Sequence, residues 1–261
     1  MPLDTADGQV AYLDRQSDET LAYSHQAGAS PGVVFLPGFN SDMNGTKALA
    51  LAAWCRQRER QFTRFDYSGH GLSGGDFSAG SIGQWCDDTL AVLDRVTDGP
   101  QVLVGSSMGG WLMLLVALAR PGRIAGLLGI ASAPDFTERL FSQRLGDKQR
   151  TALAETGYCE LPNHYGDGKP HTIGRQLIED GRNHLVLAGD IDIRVPVRLV
   201  HGQADADVPW QLSMDIAERL TGTDVEVQLV KGGDHRLSTP ADLLRLERCL
   251  QDLLATLEVS A

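Results

Sequence analysis

Short apolar runs alternate with helix-length amphipathic segments along most of the chain, the pattern of a mostly parallel sheet covered by helices on both faces. Two short strands are predicted first, Val10-Ala11-Tyr12-Leu13 and Leu21-Ala22-Tyr23-Ser24. The continuous run Val33-Val34-Phe35-Leu36, stopped by Pro37-Gly38, reads as a strand buried on both faces. A helix follows at about 46–57, a strand at 62–65, a loop with four glycines at 66–75, and an amphipathic helix at about 82–96. The second half repeats the theme, with strands at 101–104, 124–131, 197–201 and 225–230, a helix opening near Trp111, and further helices at about 212–220 and 241–257.

One stretch breaks the alternation. Between Ala133 and about Arg194 the sequence is charged and turn-rich, with Tyr158, Asn163, His164 and Tyr165 in succession, before helix-like periodicity resumes at about 173–187. A connection of roughly 60 residues is far longer than an ordinary link between a helix and a strand. Residues 134–194 are therefore expected to form a helical cap inserted into a single domain that spans 1–261, on the side where strand ends open toward a ligand.

Charge and composition narrow the field. The 34 acidic and 23 basic residues give a net charge of −11, which repels nucleic acid and anionic membrane surfaces, so neither is expected as a partner. The longest strongly apolar stretch, 111–119, is nine residues, about half of a bilayer span, and reads as a buried helix with no stable membrane insertion. Cys55, Cys86, Cys159 and Cys249 show no C-x-x-C spacing, and the seven histidines form no H-x-x-x-H or H-E-x-x-H pair. Reduced structural cysteines and no metal or cofactor are expected. The opening Met1-Pro2-Leu3-Asp4-Thr5-Ala6-Asp7-Gly8 lacks the basic and apolar regions of a secretory signal, and the expected location is cytoplasmic.

The sequence Val104-Gly105-Ser106-Ser107-Met108-Gly109-Gly110 follows one predicted strand and precedes a predicted helix. A G-x-S-x-G turn in that setting holds its serine at a sharp apex above the sheet, and glycines two residues away on either side relieve the crowding. Ser106 competes for the apex, but only Ser107 has glycine at both flanking positions, Gly105 and Gly109. Because the chain holds 29 glycines, the pentapeptide alone is weak; its strand-turn-helix context and the acid and histidine downstream carry the argument. A serine nucleophile needs a base, and the base needs an acid to orient it. Asp205 lies just beyond the strand ending at Val200 and is the preferred acid; Asp207 is its competitor, with a solvated loop charge as its more ordinary role. His235, in Lys231-Gly232-Gly233-Asp234-His235-Arg236 after the final strand, is the base. His70 reads more simply as loop packing and His201 as a strand-end hydrogen bond. Backbone N–H groups of Met108 and Phe39 are the expected oxyanion donors. Phe39, Trp111 and Trp210 either line a pocket or pack the core.

These motifs, together with Met43-Asn44-Gly45-Thr46-Lys47, Phe65-Asp66-Tyr67-Ser68-Gly69, Val208-Pro209-Trp210 and Asp234-His235-Arg236, give the chain its resemblance. It resembles the α/β-hydrolases, and among them is similar to the family of the mitochondrial palmitoyl-protein thioesterase that also hydrolyses acyl glucuronides and to its bacterial esterase relatives. The resemblance runs across nearly the whole length. It implies the α/β-hydrolase fold, a triad of Ser107, Asp205 and His235, and a small-molecule ester or thioester as substrate. The expected activity is carboxylic-ester hydrolysis through an acyl-enzyme, by a bacterial-type relative acting on small esters. Thioester hydrolysis by the same residues, haloperoxidase or C–C bond hydrolysis on the same scaffold, and ligand binding without catalysis are the alternatives.

Overall fold

Side chains of a strand point alternately to its two faces, and the central strands here carry apolar residues on both. In the computed structural model, which describes residues 9–15, 20–161 and 170–259, ten strands are described. They are β1 Ala11–Asp14, β2 Thr20–Gln26, β3 Ala29–Leu36, β4 Arg60–Phe65, β5 Gln101–Ser106, β6 Ile124–Ile130, β7 Tyr158–Leu161, β8 His171–Gly174, β9 Val197–Gly202 and β10 Val225–Val230. Eight of them form one sheet in the order β1-β2-β4-β3-β5-β6-β9-β10. The pairs β1–β2 and β2–β4 are antiparallel, and the rest of that sheet is parallel.

The helices are α1 Thr46–Gln57, α2 Ile82–Val96, α3 Met108–Ala119, α4 Phe136–Arg139, α5 Asp147–Thr156, α6 Arg175–Gly181, α7 Gln211–Arg219 and α8 Pro240–Val259. Val33 and Phe35 of β3 join Leu51 and Trp54 of α1 and Leu246 and Leu250 of α8 in one apolar cluster. Val34 and Leu36, on the opposite face, join Trp85 of α2, Leu112 of α3 and Ile216 of α7 in the other. The doubly covered parallel sheet inferred from the alternating pattern is thus the observed architecture.

The segment 134–194 departs from a purely helical insertion. Tyr158–Leu161 pairs antiparallel with His171–Gly174, so the periodicity read at 173–187 covers the end of a strand, the short α6 and a 3₁₀ turn at Arg182–His184. Asn163, His164 and Tyr165 lie outside the described residues. The two ends of this segment are clasped by the Asp135 carboxylate, which accepts from the N–H groups of Val186 (2.9 Å) and Leu187 (3.0 Å). Its middle is fastened to the N-terminus of α2, where Gly83 N–H donates to Asp180 at 2.7 Å. Further, the Trp111 indole N–H donates to the His184 carbonyl at 3.0 Å.

Because β3, β5, β9 and β10 run in the same direction, the loops leaving their C-terminal ends gather at one edge of the sheet. The loops that carry Phe39, Ser107, Asp205 and His235 all leave those ends.

Candidate active site

Ser107 sits between β5 and α3 with φ 55° and ψ −117°. That conformation costs a non-glycine residue about 1–3 kcal/mol. Three backbone hydrogen bonds hold it: Ser107 N–H to Ile130 O (2.9 Å), and Gly110 N–H (2.9 Å) and Ala133 N–H (3.0 Å) to Ser107 O. The two glycines are required sterically. A Cβ on Gly105 would lie 2.4 Å from Gly109 O, and one on Gly109 would lie 2.1 Å from Leu36 O. Ser106, the rival apex, is instead the buried last residue of β5.

His235 follows β10 in a loop that passes close to β9; a Cβ on Gly202 would come within 2.2 Å of Gly233 O. Asp234 shapes the turn by accepting from the N–H groups of Arg236 (3.1 Å) and Leu237 (3.0 Å). The Lys47 ammonium reaches across from α1 to donate to Arg236 O at 2.6 Å. Burial and the neighbouring Arg236 charge lower the Lys47 amine to about 8, against the opposing pull of Asp234 and Asp242.

The Asp205 side chain is fully buried. Its Oδ1 accepts from the N–H groups of Asp207 and Val208, each at 2.8 Å. Its Oδ2 accepts from His235 Nδ1 at 2.7 Å and from His201 Nε2 at 3.2 Å. Burial works to raise this carboxyl, but hydrogen bonds from His201 and His235, the His235 charge and the Val208 N–H together hold it well below the usual carboxylate range. Asp207, the competitor, pairs with Arg144 at 3.2 Å. Asp205, Asp207 and His235 offer ligand atoms within 4.8 Å of one another, but the closest of these contacts is the proton-bridged His235–Asp205 pair, an orienting hydrogen bond rather than a cation site.

Ser107 and His235 line one cavity of about 420 Å³, together with Gly38, Phe39, Lys47 and Arg236. The structure thus brings the serine, histidine and aspartate to one place, with a closed hydrogen bond between the last two. Catalytic contacts in a free enzyme often tighten only around substrate.

Met108 opens α3, so its N–H has no acceptor within the helix. Phe39 lies in a turn closed by Ser41 N–H to Gly38 O at 3.1 Å, followed by Asn40 at φ 52°. Two residues that the sequence did not mark as part of the site hold this turn. His70 Nε2 accepts from the Asn40 N–H at 3.3 Å while its Nδ1 donates to Ser68 O at 3.2 Å. Burial lowers the His70 imidazole to about 4, against the Ser68 hydrogen bond. Asp66 accepts from Met43 N–H (2.6 Å) and Leu72 N–H (2.8 Å). The signal was an aspartate and a histidine inside a glycine-rich loop directly after a strand. Of the aromatic residues, Phe39 borders the cavity, whereas Trp111 is fully buried.

Comparison with known families matches residues 29–156 to Hydrolase_4, described as serine aminopeptidase, S33. The human palmitoyl-protein thioesterase ABHD10, a mitochondrial protein by name, is 40% identical over 245 residues, 94% of this chain and 80% of the relative. The solved mouse α/β hydrolase domain-containing protein 10 superposes with a TM-score of 0.88 at 39% identity, covering 96% of this chain and all (100%) of that one. A solved protein from Agrobacterium vitis S4 gives 0.88 at 40% identity, covering 94% and 97%. The mitochondrial names of the curated relatives overturn the cytoplasmic expectation, which rested on the lack of a secretory signal in the opening residues. Identity at this level over nearly the whole length places the chain in the α/β-hydrolase superfamily of serine hydrolases, in the family that includes ABHD10.

Proposed function

We propose that this enzyme hydrolyses carboxylic esters and thioesters through an acyl-enzyme, with Ser107 as nucleophile, His235 as base and Asp205 as the acid that orients it. One observation carries the reading: the 2.7 Å bond from His235 Nδ1 to a fully buried Asp205, in a loop that shares its cavity with a serine at a strained strand-helix turn. With Nδ1 committed to Asp205, Nε2 is left to take the Ser107 proton. The resulting alkoxide attacks the substrate carbonyl, and the oxyanion takes hydrogen bonds from the Met108 and Phe39 N–H groups, each worth about 3 kcal/mol in comparable sites. Collapse expels the alcohol or thiol, protonated by His235, and water repeats the cycle to release the acid. Segment 134–194 acts as the cap: the Phe136 ring lies 5.8 Å from the rings of both Phe39 and Trp111, which sets it beside a residue that lines the cavity.

Thioester hydrolysis is favoured as a second specificity by the relatives' name, palmitoyl-protein thioesterase; the same triad serves both. The test is initial rates on p-nitrophenyl esters from acetate to palmitate, with a thioester of each acyl length alongside. Ser107→Ala should abolish every rate, and an activated phosphonate should label the wild type at Ser107 alone. Full turnover by the variant would sink the scheme, and an unlabelled wild-type serine would make the protein a binder of its ligand.

A further inference from the structure

His201 stands at the end of β9, where it is fully buried and makes three polar contacts. Its Nε2 lies 3.1 Å from the Val208 carbonyl and 3.2 Å from Asp205 Oδ2. Its Nδ1 lies 2.7 Å from Ser213 Oγ, on α7. A carbonyl oxygen only accepts, so Nε2 carries the proton. A single proton on the ring then satisfies every partner: Nε2–H is shared between Asp205 and Val208, and Nδ1 accepts from the Ser213 hydroxyl. The Val208 carbonyl therefore fixes the tautomer, and the hydroxyl of Ser213, a residue only 1% exposed, turns to complete it by donating to Nδ1.

A carboxylate has about four lone-pair positions. Asp205 has all of them engaged: two by backbone N–H groups, one by His235 and one by His201. Of these donors only His201 competes with His235 for the same oxygen.

Resting on the triad proposed above, we infer that His201 is a positioning residue of the hydrolase. It clamps the loop 205–208 by its carboxylate and its carbonyl at once, and it sets how strongly Asp205 Oδ2 pulls on the Nδ1 proton of His235. Ser213 belongs to the same device because its hydroxyl anchors the other ring nitrogen of His201 at 2.7 Å and so fixes the ring's orientation.

The sign comes from the shared oxygen. Removing the His201 donor leaves Asp205 a stronger base, so His235 retains its second proton to higher pH and the acidic limb of kcat/KM moves up. The other charged groups near His235 are Asp207 with its partner Arg144, Asp234, Arg236 and Lys47. None is removed by the substitution, and Asp207 alone among them lies in the loop that His201 clamps.

The experiment is the pH profile of kcat/KM for wild type, His201→Leu, His201→Gln and Ser213→Ala, with active sites counted by phosphonate labelling. Loss of one hydrogen bond to a charged group is felt there as about 1–2 pH units and passes only in part to a neighbour, so the limb moves by about 0.5–1 pH unit. His201→Leu should show that rise and a fall in kcat per active site of about tenfold. His201→Gln, whose amide N–H₂ sits near the Nε2 position, should restore the limb, and Ser213→Ala should move it part of the way. An unmoved limb in His201→Leu, with activity falling only as the active-site count falls, would reduce His201 to packing. If that variant does not fold, nitrogen-15 shifts of wild-type His201 decide the matter: a proton on Nε2 and none on Nδ1 across the limb is expected, and the opposite tautomer overturns the proposal. A wild type that phosphonate leaves unlabelled fails the triad instead, a separate result.

Discussion

Two carboxylates are buried at the loop end of the sheet, Asp66 after β4 and Asp205 after β9, and each accepts a hydrogen bond from two backbone N–H groups. Their acidities nevertheless diverge. Burial raises the Asp66 carboxyl above its ordinary value, and the N–H groups of Leu72 and Met43 and the Arg64 charge do not reverse it. Asp205 also meets burial, yet two imidazoles on Oδ2 carry it far the other way. Backbone donors are therefore enough to place a carboxyl in this protein, whereas lowering it below its ordinary value takes the two further imidazole donors on Oδ2. Asp66 staples the loop behind Phe39 to the loop after β4; Asp205 supplies a standing negative charge beside His235.

The largest expected effect tests that division. Asp205→Asn keeps the shape but presents an amide to His235, and kcat should fall by about 10³–10⁴-fold. Asp66→Asn should cost turnover no more than about tenfold, because its role ends at the loop geometry. Equal losses in the two variants, measured per phosphonate-labelled site, would erase the distinction.

The histidines divide in the same manner. His70 has no carboxylate partner among its ring contacts, and burial holds it at about 4 against an ordinary 6.5. Between those values the unfolded chain binds a proton that the folded chain refuses, so folding stability falls as pH drops through the window and is flat below it. The loss amounts to about 3 kcal/mol by the usual conversion of pKa to free energy. Chemical denaturation from pH 7 to 4 should show it, and His70→Gln, which retains an acceptor for Asn40 N–H without titrating, should flatten that part of the profile. Asp205, depressed rather than raised, adds its own loss only as pH falls below the unfolded carboxylate value. An unchanged slope in His70→Gln would assign the acid sensitivity elsewhere.

How much of this was written in the sequence depends on range. The central strands were legible because each apolar run is local and buried, and the positive φ of Ser107 was legible because Gly105 and Gly109 have no other reason to flank it. Pairing between Tyr158–Leu161 and His171–Gly174 was not: each strand is four residues long, and its partner is set by contacts rather than by periodicity. The Lys47 bond to Arg236 joins residues 189 positions apart, so two motifs distant in the chain gave no hint of touching. His201 and His70 looked bland because their partners, Ser213 and the Asn40 N–H, are supplied by other elements.

Asp66 itself should matter more to folding than to chemistry. Asp66→Ala strands the Met43 N–H in a buried site, whereas the Leu72 N–H belongs to a residue that is 52% exposed and can turn to water, so the cost is about 2 kcal/mol and falls almost wholly on the first group. Thermal melting should show the drop at neutral pH. A variant that melts with the wild type would mean that Arg64, which donates to Met43 O at 3.0 Å, holds the turn alone.

Asp180 offers the mildest version of the Asp205 arrangement, with one backbone donor, Gly83 N–H at 2.7 Å, and one imidazole, His184 at 3.5 Å. Its side chain is 19% exposed, and water shares the work, so the pair is expected to contribute about 1 kcal/mol or less. What it fastens is the insertion, through α6, to the start of α2. On the proposal that segment 134–194 caps the site, Asp180→Asn should leave the triad's pH profile in place and raise KM for long-chain esters more than for acetate. A uniform rise in KM across chain lengths would detach the insertion from acyl selection. A shift of the pH limb instead would mean that this distant carboxylate is coupled to His235, and that the contrast between stapling and charge-keeping carboxylates is drawn in the wrong place.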